Sequence, residues 1–339
     1  MTEAKKSPKV EFIETVRSIY VDEKNFNKQM PPGVLSELIL ELEKGYLPLK
    51  YTYYGEGAVL QDDIASNLEN EFILDSSVLM SISENILQLL KEYPKINVLD
   101  IGCGDGLPVK EFLLLLALKE KLNSYLPVDI STEAINLATK NLIRTTELQN
   151  NIFTKGTVLD FEKQDLDVKS MPHVDPDNAN LLLMLGGTIG NYPTIELQTE
   201  LLIRLTKNIP NCFIFISSDV VDTSDEREHN ISQSTQLSFL PKLLGLSQDD
   251  FQIYYKYQKD KDVTQYYLQT SSSIKLRFPK IGKTILLDKG TKIIIYEHKS
   301  DTPNGIQIKC NDASLKVEYI KYQDYEDRTF VYYLCSKKL

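Results

Sequence analysis

Three carboxylates, Asp100, Asp129 and Asp160, and one glycine-rich loop are spaced so that together they could hold a nucleoside. The loop is Val98-Leu99-Asp100-Ile101-Gly102-Cys103-Gly104-Asp105-Gly106. Glycines such as Gly102 and Gly104 at a strand-to-helix turn let the backbone approach a ligand closely, and the helix N-terminus that follows offers unpaired N–H groups. Asp129 stands 25 residues beyond Gly104, where a carboxylate can accept both ribose hydroxyls. Asp160-Phe161 can accept from an adenine amino group and cover the ring. Such a loop serves either a dinucleotide or S-adenosylmethionine (SAM). The dinucleotide pattern GxGxxG is not met, because Gly106 follows Asp105 and precedes Leu107. With Asp100 inside the strand and Asp160-Phe161 at a later strand end, the set favours SAM as cofactor. The alternative for each acid is a strand-end cap or a surface charge.

These side chains need elements to carry them. Ile96 to Gly102 (INVLDIG) predicts a buried strand, and Lys110 to Leu122 the helix after it. Ser124 to Asp129 predicts a second strand, with Ser131 as N-cap of a helix that places Ile135, Ala138 and Leu142 on one face. A short strand is expected to end at Asp160. Asn180 to Gly186 predicts another buried strand, followed by a helix carrying Leu197, Leu201 and Leu205, and Cys212 to Asp219 predicts the next strand. Uniformly apolar strands alternating with helices imply a parallel sheet covered on both faces. After Asp222 the pattern changes to alternating, Tyr-rich segments: Phe251 to Gln258, Gln265 to Thr270, Ser273 to Pro279, Lys292 to His298, Leu315 to Tyr322 and Thr329 to Cys335. Alternation suits antiparallel strands with one wet face. The tyrosines at 254, 255, 257, 266 and 267 fit the half-buried face of such strands better than an aromatic cage.

Composition narrows the partners. The 339 residues can bury a sizeable core. With 38 basic and 48 acidic residues the net charge is −10, a poor match to nucleic acid, whose binding depends on Lys and Arg displacing counterions. The longest apolar run, Phe112 to Leu118, falls far short of the roughly 20 residues that cross a bilayer. No apolar stretch follows Met1, so no secretory signal is expected. Four scattered cysteines without a CxxC pair fit a reducing cytoplasm. His173, His229 and His298 lie apart, and no metal site is expected. Cys103 is small enough for the glycine loop, and a nucleophilic role is not expected of it.

Several motifs resemble one family. Asp100-x-Gly102-x-Gly104, Tyr125 to Ser131, Asp160-Phe161-Glu162 and Leu185-Gly186-Gly187-Thr188-Ile189-Gly190-Asn191 are similar to the histidine-specific α-N-methyltransferases of ergothioneine biosynthesis. So are Leu47 to Tyr53 and Ser218 to Asp222. The resemblance implies an α/β fold: a class I, Rossmann-like methyltransferase core with a second, smaller α+β substrate-binding lobe. The expected division is 76–222 with 299–339 for the core, and 1–75 with 223–298 for the lobe. Carried over residue by residue, Tyr53, Gly102, Asp129, Asp160 and Phe161 would hold SAM. Gly186 and Asn191 would hold the amino and carboxylate end of an amino acid, with Tyr53 beside the reacting amine.

Other positions depart from the family. Leu68 to Phe72, with Asn70, stands where the family has a proline-tyrosine-tyrosine stretch that meets the imidazole. Glu297-His298-Lys299 keeps the acid of a Glu-x-Ser pair and loses the serine, so Glu297 is expected to face the substrate. Recognition of the amino-acid backbone is thus expected to be retained and recognition of the side chain rebuilt. The expected activity is SAM-dependent N-methylation of the α-amino group of an amino acid or a derived small molecule. Rival activities on the same fold are aminocarboxypropyl or aminopropyl transfer, or SAM binding without catalysis.

Overall fold

The N-terminal elements are joined to the rest of the molecule by parallel pairing. In a computed structural model, which describes residues 16–58, 69–152, 156–171, 174–175, 177–220, 227–231, 234–325 and 328–338, the first strand is β1 (Arg17–Tyr20). It is followed by α1 (Glu23–Gln29), α2 (Val34–Glu43), a 3-10 turn over Leu49–Tyr53, α3 (Glu69–Ser81) and α4 (Ser83–Leu89). Next come β2 (Ile96–Ile101), α5 (Lys110–Leu118), β3 (Leu122–Asp129), α6 (Thr132–Ile143), β4 (Thr157–Val158), β5 (Ala179–Met184), α7 (Ile195–Thr206) and β6 (Cys212–Val220). The remaining elements are β7 (His229–Asn230), α8 (Thr235–Leu243), β8 (Phe251–Gln258), β9 (Val263–Thr270), β10 (Ile274–Phe278), β11 (Lys283–Leu287), β12 (Lys292–His298), α9 (Pro303–Asp312), β13 (Leu315–Tyr325) and β14 (Arg328–Lys337).

Seven strands form the large sheet in the order β13-β14-β6-β5-β2-β3-β4. The pairs β4–β3, β3–β2, β2–β5 and β5–β6 are parallel, while β14 runs antiparallel to both β6 and β13. A parallel sheet with one antiparallel strand inserted next to its edge is the class I methyltransferase order. The strands are mostly apolar because both faces are covered, and buried Asn97 hydrogen-bonds buried Ser124 and Asn180 across them. On one face Leu99, Ile101, Val128, Leu182 and Ile214 pack against Leu201, Leu202 and Leu205 of α7 and Ile306 of α9. On the other, Val98, Leu181, Leu183 and Phe215 pack against Val78 and Leu79 of α3, Ile86 of α4, and Phe112 and Leu116 of α5.

Two smaller sheets, β1-β10-β11 and β12-β9-β8-β7, share a separate core with α1, α2 and α8 that includes Phe26, Leu38, Leu240, Ile253, Leu268, Ile274 and Leu276. Several details differ from expectation. The helix expected over Lys110 to Leu122 ends at Leu118, and Leu122 already begins β3. The strand expected to end at Asp160 stops at Val158, since only Thr157 and Val158 pair with Val128 and Asp129. Leu197 is 41% exposed, because α7 buries Gln198, Leu201, Leu202 and Leu205 instead. Cys310 and Cys335, 25 residues apart in sequence, come to 3.6 Å as buried free thiols. No helix among the described residues is long and apolar enough to cross a membrane.

Candidate active site

A cavity of about 240 Å³ opens where β2, β3 and β5 end, and it is also lined by the Leu49–Tyr53 turn and by Tyr296 of β12. The glycine loop is one side of it. Gly102 has φ +72°, a conformation that L side chains rarely adopt, and its N–H donates to the Val128 carbonyl at 2.8 Å. A Cβ built on Gly104 or Gly186 would meet no atom within 4 Å, so both backbones face open space.

Asp129 ends β3 and is 8% exposed. Its Oδ1 accepts the Ser131 N–H at 2.9 Å and its Oδ2 the Gly104 N–H at 3.4 Å. Ser131 in turn caps α6, accepting from Ala134 at 3.3 Å. Burial pushes the Asp129 carboxyl up to about 6, against the pull of backbone N–H groups from Ser131, Gly104 and Ile130. Asp100, deeper in the cavity, is pushed up to about 8 by burial; the Tyr125 hydroxyl, donating at 2.7 Å, opposes this, while the charges of Asp129 and Asp105 add to it. Burial and the neighbouring Asp129 and Asp100 also drive the Cys103 thiol well above its ordinary value, so it does not supply a thiolate nucleophile near neutral pH.

Asp160 and Phe161 line the same cavity from the loop after β4. Asp160 Oδ1 accepts the Glu162 N–H at 3.0 Å, and its own N–H donates to Gln164. Lys50, from the turn opposite, stands 3.6 Å from Asp160 and pairs with Glu162. Nearby, Glu37 of α2 binds Lys163 at 3.0 Å and accepts the Tyr51 hydroxyl at 2.9 Å. These contacts tie the N-terminal segment to the loop after β4.

The other end of the cavity is built by Gly186, the turn Thr188–Asn191, Tyr53, Tyr46, Tyr192 and Tyr296. Gly186 and Gly187 have φ +66° and +67°, and the Gly186 N–H donates to buried Asp75 at 2.9 Å. Asp75 also accepts from Ser217 at 3.4 Å. The Tyr53 hydroxyl is pushed up to about 12 by burial and the Asp129 charge, a hydrogen bond with Gln236 of α8 opposing them. Tyr296 stacks on Tyr266 at 4.1 Å, Tyr266 on Tyr255 at 5.4 Å, and Tyr255 on His229 at 4.7 Å.

Tyr53, Gly102, Gly104, Asp129, Asp160, Phe161, Gly186 and Asn191 therefore surround one cavity. Glu297 does not join them. Its carboxylate accepts from Gln265 at 2.9 Å across the sheet and lies 3.4 Å from Lys261, and the preceding residue, Tyr296, takes the cavity face. Lys299 does not pair with Glu297 either, being held by Asp262 at 2.7 Å. The side chain of Asn70, His173 and the stretch 221–226 lie outside the described residues. Tyr46, Lys50, Asp75, Tyr192 and Tyr296 were not singled out from the sequence. For Lys50 the available signal was its place inside the Leu47 to Tyr53 motif.

Comparison with known proteins identifies the family. Residues 34–337 match the family model described as histidine-specific, SAM-dependent methyltransferase. The release factor glutamine methyltransferase of Fusobacterium nucleatum is 31% identical over 124 residues, which are 35% of this chain and 32% of that protein. The chain thus spans about a third of the length of the curated relative it matches. Among solved structures, the magnesium protoporphyrin IX methyltransferase of Synechocystis PCC 6803 is similar with a TM-score of 0.45 and 13% identity, over 86% of this chain and 98% of that one. A SAM-dependent methyltransferase of Clostridium acetobutylicum is similar with a TM-score of 0.42 and 12% identity, over 76% and 90%. By the match over residues 34–337, the chain belongs to the family of histidine-specific, SAM-dependent methyltransferases.

Proposed function

We propose that the protein methylates the α-amino nitrogen of an amino acid, using SAM. The observation that carries this reading is that Asn191 and Gly186 open onto the same cavity as Asp129. A cofactor end and an amino-acid end then share one enclosed space. The donor set fits SAM. A buried carboxylate on two backbone amides suits a ribose diol, and the open faces of Gly104 and Gly186 leave room for ligand atoms. When bound, SAM supplies an electrophilic methyl group on a sulfonium centre.

The chain's own residues position and desolvate. In this reading Asp129 accepts the ribose hydroxyls, and Asp160 and Phe161 receive the adenine. Asn191 donates its side-chain N–H to the substrate carboxylate without adding a competing charge. Tyr53 keeps its proton across the neutral range and stands beside the acceptor amine. That amine must be neutral to present a lone pair, and its displaced proton passes to solvent. The SAM side is assigned to 76–222 and 299–339, and the substrate lobe to 1–75 and 223–298. The acidic net charge supports a small-molecule substrate over nucleic acid.

The test is turnover of SAM with a panel of amino acids, histidine first, read by product mass and by fragmentation that locates the new methyl group. Asn191→Ala should raise KM about tenfold for every amino acid accepted. Methyl groups found only on side-chain nitrogens would overturn the α-amino reading. A product carrying an aminocarboxypropyl unit would replace it with the rival transfer.

A further inference from the structure

Behind the amino-acid end of the cavity, the last residue of β12 wedges the turn that carries Asn191. His298 Nε2 lies 2.6 Å from Asp219 Oδ1 at the end of β6. Asp219 Oδ2 accepts the Ser300 hydroxyl at 3.1 Å. Burial alone would raise the Asp219 carboxyl, but the hydrogen bond and charge of His298, with help from Ser300, hold it below its ordinary value. The imidazole fills the place where Gly190 has no side chain. A Cβ built on Gly190 would stand 2.1 Å from His298 Cε1 and 2.7 Å from each ring nitrogen. Gly190 does not have a positive φ, so the ring demands glycine there and the backbone torsion does not.

The backbone on both sides of Asn191 is pinned from the same direction. The Lys299 N–H donates to the Gly190 carbonyl at 2.8 Å. Buried Gln198 donates to the Tyr192 carbonyl at 3.1 Å, and accepts from fully buried Lys309 at 2.9 Å. Lys309 is paired with Asp301, whose N–H donates to the Asp219 carbonyl at 2.9 Å. Gly190 and Tyr192 are thus fixed by one network that runs through β6, β12, α7 and α9, and Asn191 sits between them. Two residues before His298, Tyr296 lines the cavity itself.

We infer that His298, oriented by Asp219, is a positioning residue that sets Asn191 for the substrate carboxylate. The inference rests on the carboxylate role given to Asn191 above. His298 is not among the cavity-lining residues, so its effect passes through the turn at Gly190. It should therefore act on the amino acid and leave the cofactor alone.

The experiment measures amino-acid KM and kcat, with SAM affinity by calorimetry, in the full-length protein and its variants. His298→Ala should raise amino-acid KM about tenfold or more, with SAM affinity within about twofold of the parent. His298→Gln, whose amide can donate to Asp219, should recover most of the loss. Gly190→Ala should be more damaged than Gly190→Ala combined with His298→Ala, because removing the ring makes room for the new methyl group. If His298→Ala does not fold, Asp219→Asn takes its place with the same expected split. Should Asn191→Ala raise KM while His298→Ala does not, the positioning role is overturned and the carboxylate role stands. An Asn191→Ala variant with unchanged KM overturns the carboxylate role and this inference with it. Equal losses of SAM and amino-acid affinity in His298→Ala reduce His298 to a structural part and overturn the inference too.

Discussion

The two ends of the cavity are made in different ways. At the end proposed for the cofactor, Gly102, Gly104, Asp129 and Ser131 lie in one stretch from β2 to the N-cap of α6. The bonds of Asp129 to Gly104 and Ser131 span 25 residues or fewer, while Asp160 meets Lys50 from the distant Leu49–Tyr53 turn. At the amino-acid end, Gly186 leans on Asp75, 111 residues earlier, and Tyr192 on Gln198 and, through it, Lys309, 111 residues further on. Tyr53, Asn191 and Tyr296 reach the same space from three distant stretches. In the proposed function a mainly short-range frame would hold the cofactor, and a long-range assembly the substrate. Changes at the first end should act on all substrates alike; at the second, loss of Asn191 should weaken every amino acid, and changes to the Tyr296 wall should sort them.

The largest effect is expected from Asp129→Ala. It removes the acceptor on which two backbone amides converge and to which the ribose is assigned. Loss of charge-assisted hydrogen bonds worth roughly 1.5–3 kcal/mol lowers SAM affinity about 10- to 150-fold. Calorimetry on the purified variant measures it. The ratios of kcat/KM among amino acids should stay constant at saturating SAM. An unchanged SAM affinity would remove Asp129 from the cofactor end and dissolve the contrast between the two ends.

The same contrast explains what could be seen in the sequence. Strands Phe251–Gln258 and Lys292–His298 have the bounds their alternation predicts, and the cofactor loop announces itself in nine consecutive residues. Short-range patterns carry this information. α8 was missed because Pro241 stands inside it, and α9 begins at Pro303 in a stretch of low hydrophobicity. β1 pairs with β10 across some 250 residues, which no local pattern encodes. Glu297 is the informative miss. The irregularity between Ile294 and Tyr296 and the burial of Ile293 and Ile295 in the lobe core decide which residue of β12 meets the cavity. Both are properties of the assembled sheets.

A second pair of substitutions sharpens that point. Tyr296→Ala removes a cavity wall stacked on Tyr266; an aromatic contact is worth about 0.5–1.5 kcal/mol beyond its area. It should shift kcat/KM by about two- to twelvefold, by different factors for different side chains. Glu297→Gln weakens a half-exposed pair with Lys261, worth about 0–1 kcal/mol. Its effect should stay within about fivefold and be common to all amino acids. The comparison is kcat/KM over the same panel in both variants. A ranking altered by Glu297→Gln and untouched by Tyr296→Ala would return the acid to the substrate site.

The smallest functional effect is expected from Asp100→Asn, although Asp100 also lines the cavity. Its carboxyl is pushed up to about 8, so at pH 7 it is mostly protonated and an amide is close to an isostere. SAM affinity at pH 7 should change by less than about threefold. Stability tells the residue's charge state apart. In the unfolded chain the carboxyl titrates near 3.9, so between about pH 4 and pH 8 the folded protein keeps a proton that the unfolded chain has lost. Stability supplied by that proton is present at low pH and is lost as pH rises through the folded value. Its slope is up to about −1.4 kcal/mol per pH unit. Asp129, pushed up to about 6, contributes the same sign below that point, so the window from pH 6 to pH 8 isolates Asp100. Melting temperatures of the SAM-free protein should fall across this window in the parent and fall less in Asp100→Asn. Parallel curves for the two proteins would show that Asp100 is ionised in the folded state. The cofactor end would then hold a second carboxylate charge next to Asp129.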